Sequence, residues 1–277
     1  MAGRIAFQGE PGAYSHAACH SARPEMEAVP CATFEDVIDL TRRGDVNLAM
    51  LPVENSTYGR VADIHRLLPD SGLHIVDEAF VRVHINLLGL PGTELGQVRR
   101  AMSHTVLLGQ CREFLHAHRI APVTGADTAG SARHVAAAHD PALAALASDL
   151  AADIYGLDVI ARHIEDQQHN RTRFLLMSRE PDRSRRGTSG MMTSFFFSVR
   201  NIPAALYKAM GGFATNGVNM TKLESYMVGG SFTATQFFAD IEGHPDDGNV
   251  RLALDELRYF SSSMRILGVY PADPQRH

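Results

Sequence analysis

The chain has 277 residues, of which 45% are hydrophobic and 21% are charged, and its net charge is −5. This length and composition fit a globular protein with one large domain or two smaller ones. There is no long basic tract, so we expect no nucleic-acid partner, whereas local arginines can still bind an anionic small molecule.

The cysteines are three in number, Cys19, Cys31 and Cys111, and they form no CxxC pair. Their odd number and wide spacing predict reduced, buried thiols in a cytoplasmic protein. The first ten residues, MAGRIAFQGE, show no hydrophobic secretion signal. No segment reaches the roughly 18 apolar residues that span a bilayer, so we expect no membrane partner.

Strands and helices alternate through the first half of the chain. The run from Gly3 to Gly9 predicts a buried strand, and a helix follows it. Residues 31–45 show helical spacing that stops at Gly44, and VNLAMLPVENS predicts a second buried strand. Residues 73–90 predict two strands, or one strand that crosses between lobes. This alternation predicts α/β layering.

The middle of the chain predicts a second α/β lobe. We expect one helix at VLLGQCREFLHAH, another at TAGSARHVAAAHD, a strand and a helix within ALAALASDLAADIYGL, and a strand at LDVIARHIED. The chain then returns to the first lobe near NRTRFLLMS.

A third segment follows a break in composition. Residues 179–192 combine Pro, Gly, Ser and many charges without periodicity, which predicts a linker. From Thr193 to Tyr270 the pattern predicts the order βαββαβ, which is typical of ferredoxin-like modules. Its first helix should open with Pro203 in the first turn, and its second should begin at an Asp.

Four polar clusters lie at strand ends or helix starts: GEPGAYSH, LPVENSTYG, SHTVLLGQC and HNRTRFLLMS. Open α/β sheets bind ligands outside the carboxyl ends of their strands. Each cluster taken alone also fits an ordinary turn, cap or strand end. In the last one, Arg171 and Arg173 should share one face of a strand, and Thr172 should share the other with Phe174. Both arginines then need an exposed strand end or carboxylate partners.

Other chemistries find little support in the sequence. There is no HExxH, no Cys/His pair at zinc spacing, no GxSxG, no GxGxxG and no GxxxxGK. Metal, serine-hydrolase and nucleotide sites are therefore not predicted.

With these clusters in view, the sequence resembles prephenate dehydratase. The motifs that carry the resemblance occur in order along nearly the whole chain: IAFQGEPGAYSHAA, LPVENSTYG, SHTVLLGQC, DTAGSA, IEDQQHNRTRF and, in a C-terminal ACT domain, NIPAALYKAMGGFATNGVNMTKLESY. The resemblance implies a two-lobed catalytic domain similar to type II periplasmic-binding proteins, followed by a βαββαβ ACT domain.

The resemblance also implies domain bounds. We expect a catalytic domain over residues 1–180, a linker over 181–192 and the ACT domain over 193–277. Within the catalytic domain, lobe 1 should comprise about residues 1–80 and 165–180, and lobe 2 about 81–164.

The resemblance implies site residues as well. The catalytic group is Thr172, which matches the threonine of the family's Thr-Arg-Phe motif. The residues expected to bind prephenate are Asn55, Ser56, Thr57, Ser103, Gln110, Arg171, Arg173 and Phe174. The reaction removes water and carbon dioxide from prephenate to give phenylpyruvate, and it requires no cofactor or metal.

The ACT resemblance implies feedback control by L-phenylalanine and a homodimer or homotetramer. The residues expected to bind the effector are Ala204, Ala205, Leu206, Asn219, Glu224 and Ser225. Tyr226 and Met227 depart from the family's pattern, so the effector's identity stays open, as does an ACT domain kept only for assembly. Two further readings stay open: arogenate dehydratase, and a non-catalytic amino-acid-binding protein.

Overall fold

A computed structural model describes residues 3–167, 169–186, 190–227 and 234–276. The chain divides into two compact units, one formed by Met1–Leu67 with Ala79–Phe174 and the other by Leu68–Glu78 with Leu175–His277. Strands β5 (His74–Arg82) and β11 (Arg171–Ser178) run from one unit into the other. Within the described ranges, no helix is long and apolar enough to span a membrane.

The first sheet of unit 1 is built from the two ends of that unit. Its further elements are β1 (Arg4–Gln8), α1 (Tyr14–Ala22), β2 (Glu27–Cys31), α2 (Phe34–Arg43), β3 (Leu48–Asn55), β4 (Gly59–Arg60) and α3 (Ala62–Leu67). The strand order is β2-β1-β3-β11-β5, in which β1 pairs in parallel with β2 and β3. A capping box of Thr33 and Asp36 starts α2. Gly44, with φ 83°, ends the helix, as the sequence predicted.

The second sheet of unit 1 occupies the middle of the chain. Its elements are β6 (Asn86–Gly89), β7 (Arg100–Ser103), α4 (Thr105–Gln110), α5 (Arg112–Ala117), β8 (Ala121–Thr124), α6 (Thr128–Ala138), β9 (Leu143–Ala147), α7 (Asp149–Tyr155) and β10 (Asp158–Ala161). The strand order is β10-β6-β9-β7-β8. The single helix predicted for VLLGQCREFLHAH was wrong, because α4 ends at Gln110 and α5 begins at Arg112.

Unit 2 contains the βαββαβ module that the sequence predicted. Its elements are β12 (Met191–Ser198), α8 (Ala205–Thr215), β13 (Met220–Met227), β14 (Ala234–Glu242), α9 (Gly248–Phe260) and β15 (Ser263–Pro271). The strand order is β13-β14-β12-β15, and β15 also meets β5 at Gly268 and Ile75. A Cβ at Gly268 would lie 2.3 Å from the Ile75 carbonyl oxygen, so this close strand contact requires glycine.

Two boundaries in unit 2 differ from the sequence prediction. Strand β12 begins at Met191 rather than Thr193. Pro203 precedes α8 instead of opening its first turn, because Ala204 adopts a left-handed conformation with φ 61° and only Ala205 begins the helix. Asp247 is the N-cap residue of α9, as predicted, but its side chain makes no cap hydrogen bond, since its carboxylate accepts the His244 N–H. The predicted start of β14 at 231–233 and residues 187–189 of the predicted linker lie outside the described residues.

The three cysteines are buried and free, as predicted. Cys111 belongs to the hydrophobic core that packs against the second sheet of unit 1, together with Leu107, Leu115 and Leu146. The proposed bounds of the lobes, the linker and the regulatory domain stay predictions.

Candidate active site

Thr172 is held by an asparagine from the neighbouring strand. Thr172 is half-buried near the start of β11, and its Oγ1 accepts a hydrogen bond of 3.0 Å from Asn55 Nδ2 at the end of β3. Asn55 Oδ1 accepts the backbone N–H groups of Thr57 at 2.9 Å and Tyr58 at 3.0 Å. An amide oxygen accepts and an amide nitrogen donates, so these two contacts fix the orientation of the Asn55 amide. The Thr172 hydroxyl is therefore an acceptor from Asn55, and its own hydrogen is left for another acceptor.

Hydrogen-bonded side-chain amides link Asn55 to Gln110 at the end of α4. Asn55 Nδ2 also donates to Asn170 Oδ1 at 2.7 Å, and Asn170 Nδ2 donates to Gln110 Oε1 at 3.0 Å. Asn170 and Gln110 are buried, so these bonds are shielded from water. Asn170 is not among the site residues predicted from the sequence, although it directly precedes Arg171-Thr172-Arg173 in one of the polar clusters.

A cavity of about 180 Å³ adjoins this network. Its wall is formed by Thr57, Tyr58, Gly109, Gln110, Glu165, Asp166, Gln167 and Asn170. Gln110 and Asn170 therefore belong to both the cavity wall and the amide chain. Asn55 and Thr172 do not line the cavity: Asn55 is hydrogen-bonded to Asn170, and Thr172 to Asn55. The described geometry brings three of the predicted residues, Asn55, Gln110 and Thr172, into one network.

The two carboxylates in the cavity wall are engaged by backbone donors. Glu165 accepts the Ile85 N–H at 2.9 Å and lies 3.2 Å from His84 Nδ1. Asp166 accepts the N–H groups of Arg112 and Glu113, at 3.0 and 3.2 Å, at the start of α5. These contacts anchor both carboxylates.

The two arginines beside Thr172 have different environments. Arg173 is 2% exposed, and its Nη1 lies 2.9 Å from Glu54 Oε1. Arg171 is exposed, and its backbone N–H donates to Ser56 Oγ at 2.9 Å. One arginine thus meets a carboxylate and the other lies at an exposed strand end, which are the two alternatives that the sequence left open. Phe174, next along β11, is buried in the core.

The two remaining predicted serines donate hydrogen bonds to backbone carbonyl groups. Ser56 Oγ donates to the His169 carbonyl at 2.7 Å, which ties the segment after β3 to the segment before β11. Ser103 is fully buried and donates to the Leu146 carbonyl at 2.8 Å. The structure therefore places Ser103 inside the second sheet rather than in the cavity wall.

Buried titratable groups near the site favour their neutral forms. Burial raises the pKa of the Cys111 thiol well above its ordinary value, so this neighbour of Gln110 is no thiolate nucleophile at neutral pH. Burial likewise raises the pKa of the Tyr14 phenol, whose hydroxyl donates to the His84 carbonyl at 2.7 Å.

The predicted effector residues divide into two groups within unit 2. Ala204, Ala205 and Leu206 line a cavity of about 250 Å³ at the start of α8, with Phe237 of β14 in its wall. Asn219, Glu224 and Ser225 lie outside that wall. The Asn219 carbonyl accepts the Glu242 N–H, Glu224 lies 3.5 Å from Lys222 Nζ, and Ser225 is in register with Phe237.

Comparisons with known proteins agree with this architecture. The family model of prephenate dehydratase matches residues 5–182. A bifunctional N-acyl-homoserine lactone acylase/prephenate dehydratase of Komagataeibacter europaeus is 51% identical over 98% of this chain and 97% of its own. Arogenate dehydratase/prephenate dehydratase 1 of Arabidopsis thaliana is 38% identical over 98% of this chain and 72% of its own.

A solved structure shows the same fold. Prephenate dehydratase from Arthrobacter aurescens, in complex with L-Phe, has a TM-score of 0.88 and 31% identity over 97% of this chain and 90% of that chain. The predicted fold class, a two-lobed α/β domain followed by a βαββαβ module, is thereby confirmed. On the strength of the family match and of these relatives, the chain belongs to the prephenate dehydratase family.

Proposed function

We propose that this chain is a prephenate dehydratase, which converts prephenate to phenylpyruvate with loss of water and carbon dioxide. The observation that carries the proposal is the Thr172 hydroxyl, held as an acceptor by Asn55 so that its own hydrogen can reach a leaving group. A hydroxyl held in this way can donate a hydrogen bond to the ring hydroxyl as it departs.

The reaction needs a proton donor more than it needs a nucleophile. The electrons of the breaking carbon–carboxylate bond move into the ring as carbon dioxide leaves, the carbon–oxygen bond breaks, and the departing hydroxide becomes water with a proton that solvent ultimately supplies. We assign the hydrogen bond to that oxygen to Thr172. A positioned acid contributes roughly 10²–10⁴-fold, or about 3–5 kcal/mol of barrier. Because an alcohol is a weak acid, electrostatic positioning by the amide chain supplies much of this effect.

The substrate is a dianion, and the cavity offers neutral donors for it. We propose that Thr57 and Gln110 bind substrate directly together with Asn170, since all three line the cavity. The site is then supported from outside the cavity wall by Ser56, Arg173 and Phe174. The exposed Arg171 contributes positive charge at the edge of the site.

The decisive experiment follows phenylpyruvate by its absorbance in alkali. Thr172→Ser should retain most of the activity because it keeps the hydroxyl, whereas Thr172→Ala should lose roughly 10²–10⁴-fold in kcat. A fully active Thr172→Ala variant would remove Thr172 from the mechanism.

We also propose that L-phenylalanine regulates the enzyme through the module in unit 2. The support is the relative from Arthrobacter aurescens, which was solved with L-Phe. Ala204, Ala205, Leu206, Asn219, Glu224 and Ser225 are the proposed effector residues. Allosteric coupling is typically about 1–3 kcal/mol, so saturating L-phenylalanine should change prephenate affinity by roughly 5- to 150-fold.

The homodimer or homotetramer and the cytoplasmic location stay predictions. Analytical ultracentrifugation would measure the oligomeric state.

Two related activities are tested with the same preparation. Arogenate is an alternative substrate because a relative at 38% identity is named for both dehydratases. Acylase activity on N-acyl-homoserine lactones is a second candidate because a relative at 51% identity is named for it. Turnover of prephenate, arogenate and an N-acyl-homoserine lactone side by side ranks the three. Tight amino-acid binding without any turnover would favour a non-catalytic binding protein.

A further inference from the structure

Tyr58 crosses from the first sheet of unit 1 to a helix beside the second. It lies in the three-residue loop between β3 and β4, and its phenol donates to the Val106 carbonyl of α4 at 3.1 Å. Tyr58 lines the candidate active-site cavity and is also 50% exposed. One side of this side chain therefore faces the cavity and another faces solvent.

The same loop is tied to the catalytic network. The Tyr58 N–H donates to Asn55 Oδ1 at 3.0 Å, and Asn55 Nδ2 donates to Thr172 Oγ1. A displacement of Tyr58 that carries its backbone along therefore disturbs the residue that orients Thr172. The neutral bond from Tyr58 to Val106 is partly exposed and therefore weak, which permits it to break and form repeatedly.

Gly109 completes the contact from the opposite side. A Cβ at Gly109 would lie 2.9 Å from Tyr58 Oη, closer than real Cβ contacts allow. An alanine at this position would therefore push the phenol, which is the far end of a flexible side chain, away from its place at Val106. Gly109 is the penultimate residue of α4, where alanine is the better helix former, and we find no other close contact that requires glycine at this position within the described residues.

We propose that Tyr58 is the gate of the cavity and a positioning residue for Asn55. Its bond to Val106 closes the cavity over a bound ligand, and this bond opens for substrate and product to pass. The proposal rests on the proposed function, since it assigns the gate to the prephenate site.

The test is a cycle of two variants that break the same contact from opposite sides. Tyr58→Phe removes the hydroxyl, and Gly109→Ala pushes it away while favouring the helix. Each should raise KM for prephenate about threefold to tenfold, or ~0.7–1.4 kcal/mol at 1.36 kcal/mol per factor of ten, with a smaller change in kcat. The double variant should be no worse than either single one, because a ring without the hydroxyl leaves room for the new methyl group at position 109.

Hydrogen exchange separates this proposal from the assigned reaction. The amides of Thr57 and Tyr58, which donate to Asn55, should exchange about threefold to tenfold faster in both single variants, whether or not prephenate is turned over. Tyr259→Phe, at a tyrosine that is 80% exposed in unit 2, is the matched control and should change nothing. Additive effects on KM, or unchanged exchange in Tyr58→Phe, would overturn the gate. Absent prephenate turnover in the wild type, with faster exchange in both variants, would overturn only the proposed function.

Discussion

Replacement of Asn55 by aspartate tests whether the hydrogen of Thr172 must be free. The substitution preserves shape and keeps an oxygen for the N–H groups of Thr57 and Tyr58. It converts the nitrogen that donates to Thr172 and Asn170 into a second acceptor oxygen. Thr172 must then donate to the new carboxylate, so its hydrogen turns away from the ligand.

The magnitude follows from the two contacts of Asn55 Nδ2. A hydrogen bond to a charged group is worth about 1.5–3 kcal/mol, and Thr172 would have to break one at 3.0 Å before it assists the leaving group. At 1.36 kcal/mol per factor of ten, kcat should fall roughly 10- to 150-fold. The new oxygen also faces Asn170 Oδ1 at 2.7 Å, so the free energy of unfolding should fall by about 1–3 kcal/mol.

The assay measures kcat and KM for prephenate together with urea unfolding. Asn249→Asp adds the same charge at an exposed position of α9 and should leave kcat unchanged. In the Thr172→Ala background, Asn55→Asp should cost little further activity, because its effect acts through the missing hydroxyl. Retention of more than about a third of wild-type kcat by Asn55→Asp, or an equal loss in both backgrounds, would refute the reasoning.

Three further predictions concern stability. Ala204→Gly should raise the free energy of unfolding by about 0.5–1 kcal/mol, because φ 61° is strained for alanine, whereas the control Ala214→Gly inside α8 should lower it by about 1 kcal/mol. Ser103→Ala should cost about 1–3 kcal/mol, because a buried carbonyl loses its donor, with KM for prephenate unchanged. Burial, with a smaller contribution from a neighbouring histidine, lowers the pKa of His16 below its ordinary 6.5, and its neutral Nδ1 accepts the Gly12 N–H. The contribution of His16 to the free energy of unfolding is therefore complete above about pH 6.5 and is lost as pH falls through the pKa of the folded state. A plot of the free energy of unfolding against pH should lack that part of its slope in His16→Gln.

The sequence predicts those elements whose boundaries are set locally. Helix α2 begins at Phe34, directly after the N-cap residue Thr33, and it ends before Gly44. Both signals lie within the helix and its first neighbours, so periodicity and capping suffice. The βαββαβ order of unit 2 follows in the same way from alternation and turn residues.

The boundaries that were predicted wrongly depend on a distant hydrogen-bond partner or on an unusual backbone conformation. The helix predicted for VLLGQCREFLHAH breaks at Cys111, and Asp166, more than 50 residues away, accepts the N–H groups of Arg112 and Glu113 that start α5. Spacing within the helix cannot reveal that partner. Helix α8 starts two residues after Pro203 because Ala204 is left-handed, which propensity disfavours for alanine.

The candidate site shows the same division between local and distant information. Polar clusters at strand ends and helix starts contain Asn55, Gln110 and Thr172, and the resemblance to prephenate dehydratase implied their roles. In the structure Asn55 is hydrogen-bonded to Thr172, and Asn170 joins Asn55 to Gln110. The direction of each hydrogen bond is absent from the sequence, because a threonine can donate or accept. The two backbone N–H groups that hold Asn55 Oδ1 decide that direction, and they make the hydroxyl of a threonine at the start of a strand an acceptor from Asn55.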